Sequence, residues 1–359
     1  MKNKLSGIRL MAERLGVSTA TISRALNSDT CHKVKEDRRR EILELADKMR
    51  YQPNPGARLI QQGHNSTLGV LIPSQEGVFF SEFYGRLLGG LIHAVSGKGW
   101  EVRINTITLE KKNVLDQFRR MGLGSSGLIY VGTPLSGAQV DELEGYYSPL
   151  ILLSSALPTD YPLEKVKCHV LGVDNYNGAI SAANYILGLG HKRIGIILGP
   201  EGSRDFSERE KGYRDGLAKA GIELQEDMVF RGSYDQESGR DGCKYFMAKD
   251  QMPTALICAS DSIAFGVIDF AKERGLDCPR DISVIGFDDG PWAVACSPKL
   301  TTIHQPLGAL TENAVAILAS SIMDSGTNHS QRCFLNAYLK VRESTAPIRR
   351  ERQPRNRTN

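Results

Sequence analysis

The first fifty residues of the chain have apolar positions spaced as on short amphipathic helices. Apolar residues recur three or four positions apart over residues 8–15, which predicts a first helix. Gly16 follows, and glycine is the usual residue where a helix ends in a left-handed conformation. Ser18 is a good N-cap for a second helix that runs to Leu26, and a third helix is predicted over about residues 34–49. Two short helices joined by a tight glycine-containing turn form a helix-turn-helix, whose second helix enters the major groove of DNA.

From residue 67 onwards, apolar runs typical of buried strands alternate with helical segments. A first series of strands is predicted at residues 67–72, 101–105, 127–131 and 149–153, with a helix at residues 83–95. A second series begins near Val170 and has further strands at residues 193–198, 228–231, 255–258 and 283–285. Alternation of this kind predicts parallel sheets covered by helices. The two series predict two similar α/β lobes with a cleft between them.

The charge of the chain is distributed unevenly. The formal net charge is +4, but residues 1–65 hold 13 Lys and Arg against 7 Asp and Glu. Residues 346–359 hold 5 Arg against 1 Glu, and the middle of the chain is acidic. A basic head on an acidic body favours binding of a polyanion by the head alone, although a solvated basic face would have the same composition.

Several classes of protein are disfavoured by what the sequence lacks. No apolar run approaches the roughly 20 residues that cross a bilayer, and the N-terminus does not resemble a signal peptide. We therefore expect no membrane contact and a cytoplasmic, nucleoid-associated protein. The 7 cysteines form no Cys-x-x-Cys pair, so no metal site is expected. The glycines of residues 122–127 match a dinucleotide-binding spacing but follow a helix rather than a strand, so no cofactor and no catalytic residues are expected.

Two kinds of motif connect the chain to a known family. The run AERLGVSTATISRALN at residues 12–27 closely resembles the head of the lactose/galactose repressor family, and RYQPN at residues 50–54 resembles its junction with the hinge. Landmarks of the body match the same family and resemble periplasmic sugar-binding proteins: GVDN at 172–175, LGHKRI at 189–194, IGFDD at 285–289, LTTIHQP at 300–306 and VREST at 341–345. The resemblance implies an all-α helix-turn-helix head followed by a periplasmic-binding-protein-like α/β core of two parallel-sheet lobes.

The resemblance also implies a division of the chain. The head is expected at residues 1–52, a hinge at 53–65, the core at 66–346 and a basic tail at 347–359. The chain is expected to cross between the lobes three times. The first lobe is then predicted at about residues 66–165 and 302–325, and the second at about 168–298 and 328–346.

The second helix of the head carries the predicted DNA contacts. The resemblance implies that Thr19, Ala20 and Arg24 occupy base-reading positions, and the guanidinium of Arg24 can bond guanine O6 and N7 together. Alternatively, Arg24 is a surface arginine on a packed helix. Hydroxyl side chains of this region suit phosphate contacts, which position the head without reading sequence. The remaining predicted DNA-binding residues are Ser18, Thr21, Ser23, Asn27, Ala57, Leu59 and Ile60.

The hinge is predicted to fold only on DNA. In the resembled family this stretch becomes a short helix that enters the minor groove and wedges a base step apart, as an apolar side chain can. The matching wedge is Ile60, with Leu59 directly before it, and the sequence does not decide between them. Alternatively, the stretch is a plain linker whose two apolar residues pack on the body.

A small molecule is expected in the cleft between the lobes, outside the carboxyl ends of the strands. Matching the family's positions one at a time gives a set with aromatic, cationic and anionic members: Ser74, Phe79, Phe80, Arg209, Tyr234, Ser260 and Asp288. Such a set suits a sugar, a sugar derivative or a nucleobase-like ring. Other interpretations stay open: either phenylalanine can belong to the core, Arg209 can form a surface salt bridge, and Asp288 can cap a turn. Ser154 and Ser260 depart from the pattern of sugar-binding members, so the effector is not identified.

These observations predict a ligand-controlled regulator, most simply a repressor, that binds a near-palindromic double-stranded DNA operator as a homodimer. The alternative is a solute-binding protein for transport without a DNA function. The basic head and the missing secretion signal weigh against that alternative. An α/β enzyme lacks a catalytic motif in the right context.

Overall fold

The computed structural model describes residues 7–26, 31–49, 67–74, 81–109, 117, 125–154, 156–250, 252–323 and 330–348. The chain forms two compact units, Met1–Asn65 and Ser66–Asn359. In the described parts of the chain, no helix is long and apolar enough to cross a membrane.

In residues 7–26 and 31–49, the head forms three short α-helices and one turn of 3₁₀-helix. The helices are α1 (Gly7–Leu15), α2 (Thr19–Leu26) and α3 (Glu36–Lys48), and the 3₁₀ turn is Cys31–Lys33. Their apolar faces meet in a small core of Met11, Ala12, Ile22, Ala25, Ile42 and Ala46. The predicted helix order is therefore confirmed. The third helix begins two residues later than predicted because Lys35 still has an extended backbone, with ψ 138°.

The first lobe is built on a six-stranded, fully parallel sheet in the order β11-β5-β4-β3-β1-β2. Its strands are β1 (Thr67–Pro73), β2 (Glu101–Ile107), β3 (Gly127–Val131), β4 (Leu150–Leu153), β5 (His169–Asp174) and β11 (Arg332–Asn336). Its helices include α4 (Glu82–Val95), α5 (Gly137–Tyr146) and α11 (Leu307–Met323). Separate apolar clusters cover the two faces of the sheet, and α4 packs with α11 in one of them.

The second lobe has a six-stranded sheet in the order β12-β10-β9-β8-β6-β7. Its strands are β6 (Ile194–Leu198), β7 (Val229–Arg231), β8 (Ala255–Cys258), β9 (Ser283–Asp288), β10 (Thr301–His304) and β12 (Tyr338–Lys340). Only β12 runs antiparallel to its neighbour. The helices are α6 (Asn175–Gly188), α7 (Arg204–Ala218), α8 (Gln236–Met247), α9 (Asp261–Glu273) and α10 (Trp292–Ala295).

Close helix packing in the second lobe depends on glycine. A Cβ built on Gly266 of α9 would lie 1.9 Å from the carbonyl oxygen of Gln236 in α8. No side chain fits at this distance, so the two helices approach backbone to backbone at this point. The packing holds the amino end of α9 at the carboxyl edge of the sheet.

The predicted lobe boundaries are wrong for three strands. Residues 169–174 were assigned to the second lobe, but β5 pairs with β4 and β11 in the first sheet. Residues 302–304 were assigned to the first lobe, but β10 pairs with β9 and β12 in the second. Residues 332–336 were assigned to the second lobe, but β11 lies in the first. The reason is that a buried strand has the same apolar pattern in either sheet, so the pattern does not reveal its pairing partner.

The three expected crossings between the lobes are present. The chain passes from β5 to α6 at residues 174–175, from β10 to α11 at 305–306, and from β11 to β12 at 337. Strands β5 and β11 are paired where they end, with Asp174 opposite Asn336, so the first and third crossings lie side by side. The lobes are thus joined by neighbouring short segments, which is a geometry that permits rotation of one lobe against the other.

Candidate DNA-recognition helix and effector cleft

The turn before α2 is fixed by a glycine and a serine cap. Gly16 has φ +60°, the left-handed conformation that favours glycine and ends α1. The backbone N–H of Thr21 donates to Ser18 Oγ at 3.1 Å, and the hydroxyls of the two residues are 2.9 Å apart. This is the N-cap that the sequence predicts, and the same N–H also donates to the Ser18 carbonyl oxygen at 3.0 Å.

Helix α3 adds a second constraint on the turn, which sequence reasoning missed. Arg38 donates from Nη2 to the carbonyl oxygen of Leu15 at 2.5 Å, and its Nη1 lies 2.5 Å from a carboxylate oxygen of Glu41. The cation therefore lies at the carboxyl end of α1, where a positive charge is favourable. No local sequence pattern links these residues, because they are 23 positions apart.

The outer face of α2 presents the side chains predicted to contact DNA. Thr19, Ala20 and Arg24 are exposed, whereas Ile22 and Ala25 are buried in the head core. Ser18 is also exposed, and Thr21 and Ser23 are half-buried. The predicted base-reading residues thus share one solvent-facing surface. The other predicted DNA contacts lie outside the described residues: Asn27, Ala57, Leu59 and Ile60.

In the body, Asp288 ends β9 at the carboxyl edge of the second sheet. Its Oδ1 accepts a hydrogen bond from Gln305 Nε2 at 2.5 Å, and its Oδ2 accepts one from the backbone N–H of Asp261 at 3.3 Å. Burial raises the pKa of Asp288, and the nearby Arg209 guanidinium opposes that shift. The side chain as a whole keeps 21% exposure.

Arg209 lies beside Asp288 rather than on the outer surface of α7. It is 4% exposed, and Nη1 is 3.9 Å from Asp288 Oδ1. Nε donates to Asn175 Oδ1 at 2.8 Å, and Nη1 donates to the carbonyl oxygen of Ala259. The guanidinium stacks on the Phe287 ring at 3.8 Å from its centroid. These contacts exclude a surface salt bridge and fix the cation beside the carboxylate.

Two further polar residues, Asp261 and Gln305, complete the cluster around Arg209 and Asp288. Sequence reasoning missed both of them. Asp261 is 2% exposed, and it accepts hydrogen bonds from Thr302 Oγ1 and from the backbone N–H of Gly290. Burial, reinforced by Asp288, raises the pKa of Asp261 to about 8. Gln305 is 1% exposed, and its buried Oε1 has no hydrogen-bond partner among the described residues. Gln305 lies in the LTTIHQP landmark and Asp261 directly follows the predicted residue Ser260, and these positions were the available signal.

The other predicted effector residues differ in how they are placed. Tyr234 is 43% exposed and its ring lies 5.8 Å from that of Phe206, so the two form an aromatic wall. Ser260 is buried and caps α9, because its Oγ accepts from the N–H of Ile263 at 3.2 Å. Ser74 is exposed at the end of β1, and none of its described contacts joins it to this cluster. Phe79 and Phe80 lie outside the described residues.

The loop after β4 in the first lobe contacts the amino end of α7 in the second lobe. Arg204 of α7 donates from Nη2 to the carbonyl oxygens of Tyr161 at 2.6 Å and Pro158 at 3.2 Å. Pro158 also forms an isolated antiparallel bridge with Ser203. The loop after β4 is therefore held against the amino end of the helix that carries Arg209.

Comparison with known proteins decides the family. Residues 8–54 match the model of bacterial regulatory proteins of the lacI family, and residues 183–345 match that of the periplasmic binding protein-like domain. The HTH-type transcriptional repressor CytR of Escherichia coli strain K12 is 30% identical over 342 residues, which cover 94% of this chain and 96% of that protein. This chain belongs to the lacI family. Because that family consists of regulatory proteins, the prediction of a regulator rather than an enzyme is confirmed.

Solved structures show the same fold. The lac repressor dimer bound to operator and the anti-inducer ONPF aligns with a TM-score of 0.79 at 21% identity, over 94% of this lacI-family chain and 98% of that one. The complex of the transcriptional regulator CelR with cellobiose aligns with a TM-score of 0.69 at 23% identity, over 94% and 99% of the two chains. The predicted helix-turn-helix head and two-lobed core are confirmed.

Proposed function

We propose that this protein is a repressor that binds a near-palindromic operator as a homodimer and responds to a small polar metabolite. The outer face of α2 supports the DNA side of the proposal. It presents Arg24, Thr19 and Ala20 together on a helix whose start is fixed by the Ser18 cap. A helix held in this way can be seated in a major groove with its amino-terminal half against base edges.

The Arg209–Asp288 pair carries the effector side of the proposal. A buried cation and a partly exposed carboxylate lie 3.9 Å apart at the carboxyl edge of the sheet. Gln305 Oε1 lies beside them as a buried acceptor that is unpaired among the described residues, so it is available to a donor group of a ligand. Together with the Tyr234 wall, the cluster suits a ring with several hydroxyl or N–H donors, which describes a sugar, a sugar derivative or a nucleobase. Cellobiose in the CelR complex is such a molecule.

Coupling between the two sites follows from the connections between the lobes. A ligand that contacts Asp288 in the second lobe and the loop at Pro158 in the first would stabilise one angle between the lobes. That angle sets the position of β1 relative to the second lobe. Strand β1 begins directly after the predicted hinge at residues 53–65. By linkage, the effector and the operator change each other's affinity by the same factor.

The test is an anisotropy titration of the full chain with duplexes selected from the DNA upstream of its own gene. Cellobiose, D-ribose and adenine serve as effector probes. We expect specific binding that weakens steeply as salt rises, and a shift of the operator Kd by at least one probe. Absence of any preferred duplex at low salt would refute the DNA function. A probe that binds the body but never alters the operator Kd would refute the coupling.

A further inference from the structure

The turn that carries Asp288 has a strained backbone. We define the aspartate turn as residues 288–290, directly after β9. Asp288 has φ 137° and Asp289 has φ 53°, and both are conformations that side-chain-bearing residues rarely adopt. Such strain persists only where surrounding contacts over-determine it. The contacts that hold this turn therefore matter for the position of the Asp288 carboxylate.

Within the second lobe, the side chains of the turn are bonded to neighbouring segments. Asp288 accepts from Gln305, at the second crossing. Asp289 lies 2.7 Å from His304 Nδ1 and 2.5 Å from Arg342 Nη2. These contacts fix both carboxylates relative to the second sheet, but none of them reaches the first lobe.

The backbone of the turn is held from the first lobe by α4. Arg86 donates from Nη1 to the carbonyl oxygen of Asp288 at 3.0 Å, although the two residues are 202 positions apart. One helical turn earlier, the carboxyl group of Glu82 lies against Gly290, since a Cβ built on that glycine would be 1.4 Å from Glu82 Oε1. A side chain at position 290 would therefore displace the Glu82 carboxyl group.

Helix α4 connects this contact to the strand after the predicted hinge. Leu87 and Leu91 of α4 are fully buried, and they belong to the same apolar cluster as Leu68 and Val70 of β1. A displacement of α4 is therefore transmitted to β1 by close packing. The path from the Asp288 carbonyl to the beginning of β1 consists of one hydrogen bond and one packed helix.

We propose that Arg86 is a positioning residue of the effector site. It holds the aspartate turn so that the Asp288 carboxylate faces the cleft, and it transmits changes at that carboxylate to the first lobe. This inference rests on the proposed function, because the transmitted signal is the response to an effector. Arg86 itself contacts the backbone of the turn, so it acts without recognising the effector directly.

The first test concerns the position of the turn and needs no DNA. Arg86→Met keeps an unbranched apolar stem and removes the donor. Amide hydrogen exchange of Gly290 and Asp261, whose N–H groups bond to carboxylates of this cluster, is expected to become about tenfold faster. Arg280→Met is the matched control, because Arg280 is an exposed arginine of the second lobe paired with Asp281. Exchange as slow as in the wild type would overturn the positioning role.

The second test concerns transmission and uses a double-mutant cycle on operator Kd. Asp288→Asn is expected to change the operator Kd of the full chain about two- to thirtyfold, and this effect is expected to disappear in an Arg86→Met background. Effects that simply multiply would overturn transmission. Arg86→Lys, which retains a donor, is expected to restore part of the effect and provides a second variant if Arg86→Met folds poorly. If the wild type binds no operator, the proposed function fails, while amide exchange still decides the positioning role.

Discussion

The hydroxyl of Tyr213 provides an informative prediction, because it is fully buried and no group in the described ranges of the chain bonds to it. Burial raises the pKa of Tyr213, so the group stays a neutral phenol at all ordinary pH values. Tyr213→Phe removes only the unpaired oxygen and keeps the packed ring. We therefore expect the variant to be more stable than the wild type, although it shortens a core side chain.

The magnitude follows from the cost of an unsatisfied group. A buried donor or acceptor without a partner costs about 1–3 kcal/mol, and the small void left by the oxygen reduces the gain, so Tyr213→Phe should add ~1–2 kcal/mol. Tyr130 is the matched control in the first lobe. It is also 0% exposed, but its hydroxyl donates to the carbonyl oxygen of Thr133 at 2.8 Å. Tyr130→Phe removes that hydrogen bond and should lose ~1 kcal/mol.

The assay is thermal unfolding of the wild type and the two variants by circular dichroism at one protein concentration. For a domain of this size, ~1 kcal/mol corresponds to about 2–4 °C in Tm. We expect the Tm of Tyr213→Phe to rise and that of Tyr130→Phe to fall. A loss of stability in Tyr213→Phe as large as that in Tyr130→Phe would refute the reasoning, because it would show that the Tyr213 hydroxyl has a favourable partner.

Three further predictions concern stability. Gly266→Ala should lower the free energy of unfolding in urea by more than ~2 kcal/mol, because the new Cβ would collide with backbone. The control Gly145→Ala meets nothing within 4 Å and should be neutral or up to ~1 kcal/mol stabilising. Equal effects of the two substitutions would contradict the packing argument. Ser18→Ala should weaken operator binding, measured by anisotropy, and lower the stability of the head by ~1 kcal/mol, measured by urea unfolding. No change in either quantity would show that the cap is dispensable. Burial lowers the pKa of His191, so its contribution to stability is full above pH 6.5 and decreases as the pH falls below that value. The stability of His191→Gln relative to the wild type should therefore improve from pH 7.5 to pH 5.5. A stability difference that stays constant over this range would exclude the titration.

The head was largely predictable from the sequence because its signals are local. Gly16 and Ser18 each determine the backbone within a few residues, and the spacing of Ile22 and Ala25 places one face of α2 in the core. The contact between Arg38 and Leu15 was not predictable, because it joins two helices and depends on their packed arrangement.

The cleft was predictable only in part. The resemblance identified Arg209 and Asp288 as neighbours of an effector, and the structure shows them 3.9 Å apart. It did not identify Asp261, whose burial beside another carboxylate arises only when β8 and β9 are paired. The lobe boundaries failed for the same reason, since strand pairing is a long-range property.

The most direct test of the central claim, that the outer face of α2 reads base edges, is the Kd of Arg24→Ala on the preferred operator and on random duplex at the same salt. We expect a loss of about 1–3 kcal/mol on the operator, a relaxed preference at one base pair and a much smaller change on random DNA. An equal loss on both duplexes would show that Arg24 contacts only phosphates, and it would contradict the claim.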